Sequence, residues 1–380
     1  VKQTPFGVYV HVPFCAVRCG YCDFNTYTAT ELGPGASQDE YASSAIREME
    51  LAGAYLDAES GLRPVSTVFF GGGTPTLLDT ADVIRMLQGI RDVWGIPADA
   101  EVSIEANPDS VTGKDLEALR SSGFNRISFG MQSAVDHVLK TLDRTHDPRR
   151  LPLVTRWARE VGLEFSVDLI YGTPGESLED WQKSLEVAIE LDPGHVSAYA
   201  LTVEPGTRMA AMVRRGELDD VDPDDQAEKY ELADDLLTEA GYRWYEISNW
   251  AKTPEQQSQH NLGYWRNHDW WGIGPGAHSH LDGVRFWNVK HPRPYAARVA
   301  SSQLPIAEQE TLTEEERENE RVLLGLRTQS GLELRQSEQS RLVTLVSRGL
   351  ACSQAAKEGR LVLTRLGRLL ADSVALELLI

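Results

Sequence analysis

Through the first half of the chain, short runs rich in β-branched and aromatic residues alternate with longer stretches. In the longer stretches apolar positions recur every three or four residues. The short runs predict strands over residues 8–12, 67–70, 102–106, 126–129, 164–170 and 196–201. The longer ones predict helices, among them residues 41–55, 81–93, 114–122 and 178–191. Strand and helix recur about every 30–35 residues, the length one parallel βαβ unit needs. Each predicted strand runs straight into polar, glycine or cysteine chemistry. The six sequels begin at Pro13, Gly71, Asn107, Gly130, Tyr171 and Thr202. In a β/α barrel the loops after the strand C-termini build the active site, so these six are expected on one rim. Any single one of them is also explained by the ordinary needs of a turn.

After Gly241 the pattern changes. A strand-like run, Tyr242 to Ser248, precedes a stretch dense in aromatics and glycines from Asn249 to Asn288, and Pro292 and Pro294 mark a connection. Thr313 is a candidate N-cap for a helix with acids in its first turn. The chain then gives helical patterns, a short strand at residues 361–363 and a helix from Thr364. That order resembles a small winged-helix unit. The expected fold is therefore α/β. A partial (β/α)6 barrel fills residues 1–250, and a smaller, mainly helical domain with a winged-helix-like end fills residues 251–380.

With 380 residues, 41% of them apolar, the chain can bury a large core. Its 57 acids against 37 bases give a net charge of −20, which argues against nucleic acid as a partner, the winged-helix-like end included. No apolar run is long enough for a transmembrane helix, and the first residues, from Val1 to Pro5, show no leader pattern. Of four cysteines, Cys15, Cys19 and Cys22 fall together in the first loop. Such clustering is not a secreted disulfide framework, and a cytoplasmic protein with a metal or redox site is expected.

The spacing is CxxxCxxC. Three thiolates are one short of a closed zinc site, and no second CxxC element exists. A four-iron cluster held by three cysteines keeps one iron open to a small molecule. Zinc, an iron–sulfur cluster and three unrelated thiols are the readings to weigh. The motif, placed after a first strand and ahead of a βα array, resembles the radical S-adenosylmethionine (SAM) superfamily. There the open iron chelates the methionine part of SAM. The run Gly71-Gly72-Gly73-Thr74-Pro75-Thr76 looks like that superfamily's glycine loop, which holds the methionyl amino group.

Taken whole, the chain resembles the coproporphyrinogen dehydrogenase group and its haem-chaperone branch, the HemW-like proteins. The resemblance implies a [4Fe–4S] cluster on Cys15, Cys19 and Cys22, flanked by Tyr9 and Tyr21. It implies SAM contacts from Gly72, Gly73, Thr74, Glu105, Gln132, Arg144 and Asp168. Whether one or two SAM molecules are held, and which residue meets which, stays open. Each of Glu105, Gln132, Arg144 and Asp168, taken alone, also reads as an ordinary surface polar residue.

Two features separate the branches. The dehydrogenase pattern has a further cysteine two residues after the cluster motif, and here that place is Phe24. His260-Asn261-Leu262-Gly263-Tyr264-Trp265 reads HNxxYW, which the resemblance links to haem binding through His260. The other reading of His260 is a structural histidine in a packed aromatic loop. His278, in a glycine-rich run, is a second candidate iron ligand, and Cys352 reads as a small buried residue. The first functional reading is a haem chaperone that delivers haem to apo-cytochromes or other recipients. It would lack porphyrinogen turnover and admit a homodimer and transient membrane contact. The second is a radical SAM dehydrogenase that converts propionates to vinyl groups.

Overall fold

A computed structural model describes residues 4–59 and 61–379. Six parallel strands form its centre: β1 (Phe6–Val12), β2 (Thr67–Gly72), β3 (Glu101–Ala106), β4 (Arg126–Gln132), β5 (Glu164–Tyr171) and β6 (His195–Ala200). They lie side by side in chain order. The helices on the way are α1 (Tyr41–Glu59), α2 (Thr80–Trp94), α3 (Gly113–Ser122), α4 (Asp136–Thr141), α5 (Leu151–Glu160) and α6 (Leu178–Glu190). After β6 come α7 (Arg208–Arg214) and α8 (Pro223–Glu239). The partial α/β barrel expected from the pattern is the fold found.

Period-two alternation explains why these strands build a barrel with a polar lumen. On β1, Phe6, Val8, Val10 and Val12 are buried towards the helices, and α1 meets them with Tyr41, Ala45, Met49 and Ala52. The opposite face of β3 to β6 carries Ser103, Glu105, Arg126, Ser128, Ser166, Asp168, His195 and Ser197, all on the wall of one cavity. Parallel register places Glu105 beside Ser128, Ser128 beside Ser166, and Asp168 beside Ser197. Helix starts are fixed locally. Thr112 with Asp115 and Ser177 with Asp180 form reciprocal capping boxes for α3 and α6.

The sheet does not end at β6. A hairpin of β7 (Arg243–Glu246) and β8 (Asn249–Ala251) turns back antiparallel on β6. A short helix, α9 (Gln259–Trp265), follows. Then β9 (Asp269–Ile273) lies parallel to the free edge of β1, with β10 (His278–Leu281), β11 (Val284–Asn288) and β12 (Ile306–Thr311) antiparallel beyond it. The expected division at residue 250 thus falls inside one twelve-stranded sheet.

Pro292 and Pro294 do not mark a connection. They open α10 (Pro292–Ala300), where proline at the first turn needs no N–H, and His291 caps it. The short C-terminal strand is Arg360–Leu361, with Leu363 held only by an isolated bridge to Ala351. Cys352 is half-buried and precedes a short helix.

A second apolar core lies at the end of the chain. It joins Val322 of α11 (Glu314–Gly325) and Leu326, which caps the helix end, to Leu342, Leu345, Leu361, Val374 and Leu378. Its helical, winged-helix-like order matches the expectation, and Thr313 caps α11 with Glu316. No helix among the described residues is long and apolar enough to cross a membrane.

Candidate functional site

The strand C-termini open on a cavity of about 720 Å³. Cys15, Cys19 and Cys22 line it, as do Tyr9, Tyr21, Gly72, Gly73, Thr74, Glu105, Gln132, Arg144, Asp168 and His260. The residues expected at one site thus share one cavity. His278 is outside it. The loop after β5 is also outside, contrary to expectation, because Glu176 folds back. Its carboxylate accepts the Gly172 N–H at 2.8 Å and lies 3.6 Å from the buried Lys229 ammonium.

Backbone bonds hold the cysteine loop in place. Cys15 N–H donates to Tyr27 O, Tyr27 N–H to Pro13 O, Gly20 N–H to Leu142 O and Met209 N–H to Gly20 O. Tyr21 packs against Val135, Val138, Leu142 and Met209. Across the cavity the glycine loop is stitched to the same segment. Gly73 N–H donates to Val12 O and Thr74 N–H to Phe14 O, both at 2.7 Å. A side chain would forbid this approach, since a Cβ on Gly73 would stand 2.4 Å from Phe14 O, and Gly72 has φ +106°.

Each thiol has a donor. Hydroxyls of Thr74 and Thr26 reach Cys15, the Phe24 N–H reaches Cys22, and the Arg144 guanidinium lies 3.6 Å from the Cys19 sulfur. Burial nevertheless pushes the Cys15 thiol up, and Cys22 up to about 11. Arg144 also donates to Gly130 O at 3.0 Å, while its buried Nε has no partner among the described residues. Gln132 ends β4 with φ 62°, at a bulge opposite Leu169, which turns the chain towards the cavity.

Two carboxylates face the same space. Glu105 accepts the Gly72 N–H at 3.1 Å, and Asp168 accepts the Ser128 hydroxyl at 2.7 Å. Burial, then the neighbouring Asp168 charge, pushes Glu105 up to about 8, and burial raises Asp168 as well. A pair so placed is suited to a cationic ligand, whose charge would offset the desolvation. Ser103 Oγ, on the same wall, has no partner among the described residues.

The chemistry of this donor set fits a cluster better than a single ion. Among the described residues no three ligating side chains converge closely enough to hold one metal ion. A cuboidal cluster is wider, and its three thiolates stand apart around it. The open cavity beyond the thiols, edged by the Gly72 and Gly73 backbone and two acids, leaves room for the amine and carboxylate of a bound amino acid.

His260 is placed differently from an available iron ligand. The residue is 3% exposed. Its Nδ1 lies 2.9 Å from the Thr67 hydroxyl and its Nε2 2.9 Å from the Tyr264 hydroxyl. The ring stacks on Phe69, with centroids 5.2 Å apart, and burial lowers its pKa to about 3. Lumen residues that motif reading missed include Arg126, Ser128, Ser166 and Ser197. The available signal was polar residues two apart inside otherwise apolar strands.

A barrel with three cysteines in its first loop and a glycine loop in its second defines a radical SAM protein. The profile of the Radical SAM superfamily matches residues 9–188. At finer grain, the chain belongs to the HemW family of that superfamily. It is 47% identical over 379 residues to the Heme chaperone HemW of Mycobacterium tuberculosis, covering 99% of this chain and 95% of the relative. Against the Heme chaperone HemW of Escherichia coli it is 40% identical over 303 residues, 78% of this chain and 76% of the relative. The solved structure of coproporphyrinogen III oxidase (HemN) from Escherichia coli superposes with a TM-score of 0.80. That match covers 99% of this chain and 90% of the other at 24% identity, a likeness of fold.

Proposed function

We propose that the chain binds haem as cargo and passes it to apo-cytochromes or other haem-protein recipients, without turning over porphyrinogens. The observation that carries this reading is Phe24. It is 56% exposed at the rim of the cluster cavity, where the dehydrogenase pattern has a thiol. A phenyl ring neither donates hydrogen nor takes an electron there. The relatives' name, heme chaperone, supports the cargo.

In this reading Cys15, Cys19 and Cys22 hold three irons of a [4Fe–4S] cluster. Gly72, Gly73 and Thr74 offer backbone groups to the methionyl end of SAM, and Glu105 and Asp168 receive its positive charge. Tyr9 and Tyr21 wall the site. When bound, such a cluster supplies a low-potential electron and one open coordination position. Arg144 lies beside Cys19 and offsets part of the thiolate charge.

The test uses the full chain after anaerobic cluster reconstitution. Haem titration is expected to give saturable binding, and mixing with an apo-cytochrome is expected to give the holo-cytochrome spectrum. With coproporphyrinogen, SAM and reductant, no protoporphyrinogen is expected. Repeated turnover, or haem that never leaves, would overturn the proposal. Cys19→Ala is expected to lose the broad visible absorption of the cluster, and an unchanged spectrum would remove the ligand assignment.

A further inference from the structure

We infer that haem docks in a second cavity beside the cluster loop, with His278 as its axial ligand and Lys290 and Arg18 on its propionates. The inference rests on the haem-binding reading above and names a site for it.

This cavity, of about 620 Å³, adjoins the first and shares Tyr9, Phe24 and Tyr264 with it. Its volume is within the range typical of small-molecule and cofactor pockets. His278 is the first residue of β10, and its side chain is exposed to this space. Among the described residues no hydrogen bond engages its ring, while its backbone carbonyl is held by Trp270 Nε1 at 3.0 Å. The ring is braced from behind by Trp287, stacked with centroids 5.5 Å apart and planes 24° apart. A ring fixed in orientation with free nitrogens is prepared for a metal. His260 has the opposite arrangement: its nitrogens face Thr67 and Tyr264.

The remaining walls suit a porphyrin. Trp270, Tyr264, Tyr27 and Phe24 offer apolar faces. Arg18 and Lys290 are exposed and, among the described residues, have no carboxylate partner, so two cations are available for two propionates. Asp23 is the one acid on the wall. The floor is rigid, because the Asn25 amide donates to Pro275 O at 3.0 Å and to Lys290 O at 2.7 Å. His11 Nε2 lies 3.0 Å from Asn25 O, which ties the floor to β1.

Ferric haem titrated into the reconstituted full chain, followed at the Soret band, tests the site. His278→Ala is expected to weaken binding by at least about tenfold and to change the Soret spectrum. Added imidazole is expected to restore a ligated spectrum, which also reports an intact pocket. Lys290→Glu is expected to weaken haem but leave the dimethyl ester, which lacks the propionate charges, unaffected. If wild type binds and His278→Ala titrates identically, the site is wrong and the haem reading stands. If wild type does not bind haem, both fall. Loss of ligation in His260→Ala, with none in His278→Ala, would return the ligand to α9.

Discussion

Glu105 sits at the end of β3 with its carboxylate on the Gly72 amide and Asp168 facing the same lumen. Its folded pKa of about 8, against an ordinary 4.5, has a measurable sign. Between those two values the folded chain binds a proton that the unfolded chain has released. Stability contributed by Glu105 is therefore full below pH 4.5 and lost as pH rises towards about 8. Chemical denaturation of the cluster-free chain is expected to show stability falling across that window. Glu105→Gln should flatten part of the fall, because the amide stays neutral throughout. An identical slope in the variant would show that Glu105 ionises normally. Saturating SAM, by supplying positive charge, is expected to pull the Glu105 pKa down. Much at this scale was legible in advance. Cys15, the glycine loop and Glu105 stand at or near strand ends, where their types exceed what a turn needs, and Asp168 is a lone acid inside an apolar strand. The serine rungs Ser128, Ser166 and Ser197 were missed, since a small hydroxyl within a buried strand reads as neutral packing unless its two-residue spacing is followed. His260 was legible as a motif, but its partner Thr67 comes from a strand nearly two hundred residues earlier.

At the scale of elements, the parallel strands were readable because each obeys one local period. The strands β9 to β12 were not. β9 and β11 mix aromatic with polar or glycine positions, β10 and β12 are poor in apolar residues, and the place of all four beside β1 is set by long-range pairing. One buried side chain locks that pairing. Glu48 of α1 accepts the Tyr295 hydroxyl at 2.6 Å, the Gly274 N–H at 2.8 Å and the Asn288 amide at 2.6 Å. Burial wins over these three donors and raises Glu48 to about 7. Glu48→Gln keeps the shape but gives up an acceptor, so a donor from β11, α10 or the loop after β9 is left unmet. The expected loss is about 2 kcal/mol in urea unfolding, the typical penalty for an unsatisfied buried polar group. Faster amide exchange along β9 to β11 should accompany it. A loss below about 0.5 kcal/mol, the size of a surface substitution, would mean the seam is held by apolar packing alone.

On the scale of the whole molecule, the C-terminal unit has its own core and meets the barrel through charge, beside an apolar contact from Leu369. Arg368 pairs with Asp234 of α8 at 2.6 Å, and the side chains are 7% and 12% exposed. The guanidinium lies 4.5 Å over the Trp244 ring, and Trp250 Nε1 donates to the same carboxylate at 2.9 Å. Gln329 N–H donates to Tyr245 O at 2.8 Å nearby. A chain of net charge −20 is not drawn together by its overall field, so this local pair matters more. Arg368→Ala removes the cation, strands a desolvated carboxylate and strips the cover from Trp244. The expected destabilisation is about 3 kcal/mol, typical for breaking one side of a buried pair. Early proteolytic cleavage between β12 and α11 should report that the unit has come loose. The double variant Arg368→Leu with Asp234→Leu separates the causes. If desolvation of the orphaned carboxylate dominates, the double variant recovers most of the loss. If the stacking on Trp244 dominates, it recovers little, and the joint is then an aromatic contact with a salt bridge beside it.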